Sequence, residues 1–316
     1  MSSLGLRLAA RLGGMVVVVW GAATLAFLVL RLVPGDPVDI MLGVQGQASP
    51  EAKDAIRADL GLDRPAFEQY VTYLGRVVSG NLGRSYQLRL PVTEVIGQQL
   101  AATVQLVAVS LLFAVLLVAL GALLFGGRRS RTIVGSLELV AISSPPFWIG
   151  LVLLAVFGFG LNWFPVTGDD GFRSVVLPAL TIALPVAGIL GQVLASGMAD
   201  ARAQPFALTA TARGISAERL VLRHTLRHAA LPAVTLSGYI VGSLLGGAVI
   251  VESVFGRSGI GRVTLAAITQ RDLPVVMGII ILTSVVFVVV NLLVDVSYRL
   301  IDPRLTLSAE AIRGVR

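Results

Sequence analysis

The chain has 316 residues, of which 55% are hydrophobic and only 14% are charged, and its mean hydropathy is +0.86. Soluble domains carry about 25% charged residues, so the composition excludes an ordinary soluble enzyme and indicates an integral membrane protein. The absence of cysteine excludes disulfides and thiolate metal sites. The net charge of +7 requires no nucleic-acid partner, because cytoplasmic loops of membrane proteins are rich in Lys and Arg.

The first apolar run covers residues 9–33 and follows Arg7 and Arg11. A helix of this length can cross a hydrocarbon core of about 30 Å. The run is longer than the apolar part of a signal peptide, and no A-x-A-like cleavage site follows it. It therefore predicts a first transmembrane helix, with Arg31 extending towards the headgroups at its far end.

Residues 34–99 form the only long polar region. It opens with the rigid turn sequence Pro34-Gly35-Asp36-Pro37. Ser49-Pro50-Glu51 then predicts a helix start and Gly61 a helix stop. A second, amphipathic helix is predicted over residues 65–79. Two interpretations stay open: a small cap that packs on the membrane domain, or a docking surface for a protein that delivers substrate.

Five further apolar runs lie at about residues 100–125, 133–160, 175–198, 231–255 and 275–297. Lipid offers no partner for backbone polar groups, so each run is predicted to be a helix. The sequence thus predicts an all-α membrane protein with six transmembrane helices. Its parts are residues 1–33, a helical extracytoplasmic insertion at 34–99, a five-helix core at 100–305 and a tail at 306–316.

Prolines and glycines interrupt several of these runs. Pro145-Pro146 falls in the third run, Pro178 and Pro185 fall in the fourth, and Pro232 opens the fifth. They predict ordinary helix kinks or bends beside a translocation path. The fifth run also carries glycines at intervals of four, which favour close helix packing. These are Gly238, Gly242 and Gly246.

The arginines of the short polar segments predict the sidedness of the chain. They concentrate near both termini, at residues 128–131 and in the 200–230 loop, and are fewer in the opposite loops. The positive-inside rule then places both termini and the 200–230 loop in the cytoplasm. Residues 34–99, and the glycine-rich loop 256–261 between the fifth and sixth runs, are predicted to lie outside.

The 200–230 loop contains local signals for two short helices. Pro205 favours a helix start, Gly214 a stop, and Ser216 the cap of a second helix. A solvated basic loop between two spans is one interpretation. The loop's arginines are Arg202, Arg213, Arg219, Arg223 and Arg227.

Few polar side chains lie within the apolar runs, and intramembrane polar groups are candidates for function. Gln192 and Asn291 are the candidates for a translocation path, although Gln192 equally suits an interhelix hydrogen bond. Glu138, Glu252 and Asp295 lie near the predicted ends of spans. For these three we expect contacts with headgroups or arginines.

Motifs for catalysis are missing from the sequence. The only lysine, Lys53, has no phosphate-binding glycine frame before it. His224 and His228 have a spacing that suits a metal, but no third ligand is evident nearby. We therefore expect no catalytic residue, no metal site and no cofactor.

Thr209-Ala210, Gly214 and Leu231-Pro232 resemble the "EAA" loop with which permeases of ABC importers dock on their ATPases. Leu208 stands where many families carry Glu, and the loop is longer than in sugar transporters. Both departures resemble the B-type permeases of dipeptide, oligopeptide and nickel importers. Further segments resemble this group in the same order: RLVPGDP, LGLDRP, GNLGRS, LPALTIALP, ESVFGRSGIG, ITQRDLPVV and DPRL.

The resemblance implies a type I ABC importer permease in the inner membrane, with membrane lipid around it and no nucleic-acid partner. It further implies a second homologous permease, two cytoplasmic ABC ATPases and an extracytoplasmic substrate-binding protein. The implied coupling residues are Thr209, Ala210, Gly214, Ile215, Ser216, Ala217 and Glu218.

The resulting hypothesis is a non-catalytic subunit that imports di- or oligopeptides by alternating access. The glycine row would then pack within the chain or against the second permease. Nickel or another small solute is an alternative cargo. An ATP-independent channel and a membrane-embedded enzyme are the rival classes.

Overall fold

A computed structural model describes residues 2–32, 38, 49–85, 87–124, 128–169, 171–220 and 225–301. Within these residues the regular secondary structure is helical, and the extended pairing is an isolated bridge between Arg84 and Pro91. The all-α prediction is confirmed. The predicted turn at residues 34–37 and the tail at 306–316 lie outside the described residues.

The helices in chain order are α1 Ser2–Leu32, α2 Pro50–Leu60, α3 Ala66–Val78, α4 Val92–Leu124, α5 Arg128–Ser143, α6 Pro146–Leu153, α7 Arg173–Ala203, α8 Pro205–Ala212, α9 Ala217–Leu220, α10 Leu226–Val254, α11 Ile260–Thr269 and α12 Leu273–Ile301. A π-helical segment, Leu154–Gly160, continues α6.

The chain divides into two compact units. The first comprises residues 1–103 with 258–288, and the second comprises residues 104–257 with 289–316. In the first unit, the start of α4 packs against α11 and the start of α12. A side chain at Gly278 of α12 would overlap Val92 of α4. The core residues there are Val92, Val95, Ile96, Ile260, Ala267, Val275 and Ile279.

In the second unit, α7 is the central helix. Of its most apolar window, 72% is buried inside the protein, far more than in the other long apolar helices. Small residues let neighbouring helices approach it: a side chain at Gly150 of α6 would meet Phe255 at 3.2 Å and Thr181 of α7 at 3.4 Å. The helix that carries Gln192 is therefore held on several sides.

Three helices of the described chain are long and apolar enough to cross a membrane: Val92–Ala122, Arg173–Ala203 and Leu273–Ser297. A fourth span results if the bent pair Thr132–Ser143 and Pro146–Gly160 counts as one. Helix α1 has a shorter apolar part, Gly13–Val29. The described chain is all-helical and its long helices are apolar, as predicted. The number of six spans stays a prediction.

Prolines act differently at three places in the fold. Pro145 takes an extended backbone (φ −60°, ψ 136°), and the pair around it bends by 109°. Pro178 and Pro185, in contrast, lie inside the continuous helix α7. Pro232 also lies inside a helix, because α10 already begins at Leu226, and its place at the start of the fifth span stays a prediction. Proline is tolerated there because membrane helices can satisfy the freed carbonyl elsewhere.

The polar insertion forms the helices that its capping signals predict. Ser49 caps α2 by accepting the Ala52 amide at 3.3 Å, and Gly61 ends it with φ +64°. The Ser49 hydroxyl also lowers the pKa of Glu51 through a hydrogen bond. The predicted second helix is α3. Residues 256–261 were predicted as a loop, and this was wrong in part, because α11 already begins at Ile260.

Candidate coupling elbow and buried polar clusters

The segment predicted to couple to an ATPase begins where α7 ends. Gln204 takes an extended backbone (φ −73°, ψ 149°), which breaks the helix between α7 and α8. Pro205 is the first residue of α8, a position where its missing N–H costs nothing. Helices α8 and α9 and the turn between them form an elbow, residues 204–220. Its local structure matches the capping signals in the sequence.

Gly214 makes the turn of the elbow. Its φ is +76°, and the amide of Ile215 donates to the Ala210 carbonyl at 3.2 Å. This is the Schellman arrangement, which favours glycine because a Cβ is strained at positive φ. Among the described residues, no atom lies within 4 Å of the place where a Cβ of Gly214 would sit. The turn requires glycine for its backbone and not for space.

The elbow has one covered and one open side. Ala207 and Ala210 are buried, whereas Thr209, Gly214 and Ser216 are exposed. Thr209 donates its hydroxyl to the Pro205 carbonyl at 3.0 Å, within its own helix. Ile215 is half-buried. The exposed cations of this segment are Arg202, Arg213 and Arg219.

The second helix of the elbow is short. Ser216 precedes α9, and its Oγ lies 3.4 Å from the Arg219 amide, as expected for a cap. Ala217 and Glu218 begin α9, and their side chains lie outside the described residues. Arg223 and His224 lie outside the described residues altogether. The side chains of four further residues are also not described: Leu208, Arg227, His228 and Leu231.

The glycine row of α10 divides into two parts. A side chain at Gly238 would overlap Val294 of α12, so this glycine is needed for packing inside the second unit. Gly242 is half-buried. Gly246 and Gly247 have no atom within 4 Å of an added Cβ and are exposed. The described chain therefore uses the start of the row and leaves its end uncovered.

The two candidate path residues lie on different helices of the second unit. Gln192 is half-buried on α7, and Asn291 is exposed on α12. Gly191 lies next to Gln192. The carboxylate of Glu138, from α5, packs against Gly191 and occupies the space that a side chain at residue 191 would need. Gly188, one turn earlier, meets the Glu138 carbonyl, which would be 2.8 Å from an added Cβ. Glu138 thus lies against α7, a contact that the sequence analysis missed.

A buried arginine joins three segments of the second unit. Arg257 is 2% exposed. Its guanidinium donates to Gln105 of α4 at 2.9 Å and to Ser174 of α7 at 3.4 Å, and lies 3.6 Å from the Asp169 carboxylate. The Nε atom is buried without a hydrogen-bond partner among the described residues. Sequence reasoning assigned Arg257 to an external loop and missed this role.

The first unit contains its own buried polar pair. Ser85 donates to the Asp272 carboxylate, and both residues are buried. Thr103 of α4, also buried, accepts the Ile260 amide at 2.8 Å and so caps α11. These contacts hold both ends of α11, one through Thr103 and the other through Asp272. Separations of 187 and 157 residues left no local signal for them.

Glu252 departs most from expectation. It was predicted to reach headgroups or pair at a span end, but it is fully buried near the end of α10, and its carbonyl accepts the Arg257 amide at 2.8 Å. A charge in this position is unfavourable unless it is compensated. The predicted contact with headgroups was therefore wrong for this residue, whereas its predicted pairing with an arginine stays a prediction.

Comparison with known proteins finds family matches along nearly the whole chain. Residues 6–107 match the N-terminal membrane component of binding-protein-dependent transport systems, and residues 114–307 match the inner membrane component of these systems. The chain is 35% identical over 296 residues to the glutathione transport system permease protein GsiC of Salmonella choleraesuis (strain SC-B67) and of Salmonella typhimurium. The corresponding protein of Escherichia coli (strain K12) is 33% identical.

Each of these alignments covers 93% of this chain and 96% of the relative. Such coverage leaves no large part of either protein unmatched. The chain belongs to the binding-protein-dependent transport system inner membrane components, the permease subunits of ABC importers in the inner membrane.

Proposed function

We propose that this permease imports short peptides or peptide-like molecules such as glutathione. The supporting observation is the 35% identity to glutathione permeases along nearly the full length of both chains. Glutathione is itself a tripeptide, so this class agrees with the hypothesis of di- and oligopeptide cargo. The transporter would consist of this chain, a second homologous permease, two cytoplasmic ABC ATPases and an extracytoplasmic binding protein.

The elbow is the proposed contact with an ATPase. It presents exposed backbone and the cations of Arg202, Arg213 and Arg219 around a turn with a defined shape. Its coupling residues are Thr209, Ala210, Gly214, Ile215, Ser216, Ala217 and Glu218. A rigid turn of this kind can enter a cleft of a partner and transmit displacement, whereas a flexible basic loop cannot.

Helix α7 supplies the connection from the elbow to the membrane-embedded core. Its 31 residues extend for about 45 Å at 1.5 Å per residue. The helix is continuous through Pro178 and Pro185, and it is buried along most of its apolar length. A displacement at Gln204 would therefore move the packed core. Gln192 on α7 and Asn291 on α12 are the proposed path residues.

The proposed topology follows the arginines. With the elbow on the ATPase side, both termini lie in the cytoplasm and residues 34–99 lie outside. Import then proceeds by alternating access. ATP binding would move the elbow and open the cavity outwards, and hydrolysis would reset it.

The test is purification of the tagged chain in mild detergent, followed by reconstitution with the subunits that accompany it. We expect a second permease, ATPases, and ATP-dependent uptake of labelled glutathione or dipeptides when the binding protein is added. Omission of the binding protein is the control. Uptake of nickel alone, or uptake that needs no ATP, would contradict the proposal.

A further inference from the structure

The amphipathic helix α3 has three distinct faces. At 100° per residue, one stripe about 60° wide contains Phe67, Val71, Leu74 and Val78. On this stripe Phe67 is 74% exposed, Val71 51% and Val78 88%. A polar face, centred about 130° around the helix from this stripe, includes Glu68, Thr72 and Arg76.

The third face of α3 attaches the helix to α1. Tyr70 shares a hydrogen bond of 2.7 Å with Thr24. The Tyr70 and Tyr73 rings lie 5.3 and 5.8 Å from the ring of Phe27. Burial, together with Tyr70, raises the pKa of Tyr73 to about 12. The contacts of α3 with α1 thus lie along this one side of the helix.

These contacts fix the depth of α3 along α1. Thr24 and Phe27 belong to the apolar part of α1, Gly13–Val29. Arg31 follows directly, and it donates to Gln69 of α3 at 2.8 Å while its guanidinium lies 5.4 Å from the centre of the Phe27 ring. Arginine near the end of an apolar helix marks the headgroup region, and tyrosines are enriched at that level. Helix α3 thus crosses α1 at the boundary of the hydrocarbon.

Helix α1 also exposes apolar side chains at the level where α3 crosses it. At the same level of α1, Leu25 is 63% exposed, Leu28 48% and Val29 57%. At that depth an apolar surface that no protein covers meets acyl chains, because water is absent from the hydrocarbon core. The stripe on α3 and its polar face match a helix that lies in the plane of the interface.

We propose that α3 is an interfacial helix whose Phe67, Val71, Leu74 and Val78 stripe is inserted in the lipid of the outer leaflet, with its polar face towards water. The occupant of the stripe is lipid, and not the substrate-binding protein or a second permease. This role is separate from cargo choice and holds whichever solute the transporter carries.

The chain contains no cysteine, so a single introduced thiol can be labelled alone. We would label Val71→Cys and Val78→Cys on the stripe with an environment-sensitive fluorophore. Glu68→Cys and Thr72→Cys on the polar face are the matched controls. Each labelled full-length chain is reconstituted in phosphatidylethanolamine and phosphatidylglycerol vesicles, alone and with its co-purifying subunits. Some vesicles contain phospholipid brominated near the headgroup, because interfacial helices lie about 5–10 Å deep.

The expected result is loss of most emission from positions 71 and 78 in brominated vesicles, with little quenching by aqueous iodide. Positions 68 and 72 should show the reverse. Iodide quenching at 71 and 78 would overturn the proposal, since the stripe would then face water. Quenching by neither agent, or bromolipid quenching that disappears when the other subunits are present, would also overturn it, because protein would then cover the stripe.

Discussion

Two turns of the second unit share one backbone geometry but occupy opposite environments. Gly214 has φ +76° and Gly256 has φ +58°. After each glycine an amide donates back to a helix carbonyl, from Ile215 to Ala210 at 3.2 Å and from Arg257 to Glu252 at 2.8 Å. The Gly214 turn has open space around it, whereas a Cβ at Gly256 would contact Thr167 at 3.7 Å.

The difference indicates two uses of the same motif. At Gly256 the turn directs Arg257 into a buried cluster, so it serves the fold. At Gly214 the turn supports no comparable cluster among the described residues and presents an exposed elbow. Substitutions at the first turn should therefore affect stability, and substitutions at the second should affect transport.

A large loss of stability is expected from Arg257→Met. The change leaves Gln105 and Ser174 without their donor and breaks the ion pair with Asp169. We expect a loss of about 3 kcal/mol, the low end for a buried pair, because Asp169 is 40% exposed and water can solvate it. Heating in detergent followed by fluorescence-detected size exclusion measures the loss. The control, exposed Arg213→Met, should change stability by less than about 0.5 kcal/mol, and equal losses in both variants would contradict the comparison.

Substitution of Gly214 and of Gly256 by tryptophan should separate the free-energy cost of a strained backbone from the cost of disrupted packing. Both changes put a side chain at positive φ, which costs about 1–2 kcal/mol. Gly256→Trp should cost about 1–3 kcal/mol more, because its ring must displace the segment around Thr167. Gly214→Trp should insert and remain folded. The same heating assay checks this, and a Gly214→Trp chain as unstable as Gly256→Trp would show that the elbow is part of the folded core.

The glycine row of α10 extends the comparison to helix packing. Gly238→Leu collides with Val294 within the chain and should lower stability by about 1–3 kcal/mol. Gly246→Leu meets no atom of the described chain and should leave its stability unchanged. If the end of the row packs against the second permease, Gly246→Leu should reduce the amount of that partner recovered in a pull-down. Full recovery of the second permease with both variants would show that the end of the glycine row does not pack against it.

A small change in stability is expected at Arg271, where a turn with the same backbone geometry is formed by a residue other than glycine. Arg271 has φ +56°, and the following amide, of Asp272, donates to the Ala267 carbonyl at 2.8 Å. Arg271→Gly relieves the strain but adds freedom to the unfolded chain, so we expect a gain of less than about 1 kcal/mol. A small rise in the melting temperature in the heating assay would confirm it. A clear loss would mean that the Arg271 side chain stabilises the turn.

Local signals explain which parts of the fold were predictable. Ser49, Gly61, Pro205 and Gly214 act on backbone groups within a few residues, so the ends of α2 and α8 followed from the sequence alone. Apolar runs predicted the long helices for the same reason, because lipid requires internal backbone pairing.

Contacts between distant segments could not be predicted in this way. Arg257 has the same local signature as an arginine in a polar loop, and its partner Gln105 is 152 residues away. The two proline outcomes, in contrast, carry a local signal. Pro145 precedes Pro146, and a residue before proline is disfavoured in a helical backbone, whereas Pro178 precedes Ala179. The first adjoins a bend of 109°, and the second lies in a continuous helix.

The most direct test of the account is ATP-driven uptake by the reconstituted transporter with Gly214→Trp. Gly80→Trp is the matched control, since Gly80 also has φ +76° and no atom of the described residues lies within 4 Å of its added Cβ. We expect Gly214→Trp to assemble in the membrane but to lose uptake and substrate-stimulated ATPase activity, while Gly80→Trp retains both. Normal uptake by Gly214→Trp would contradict the proposed coupling role of the elbow.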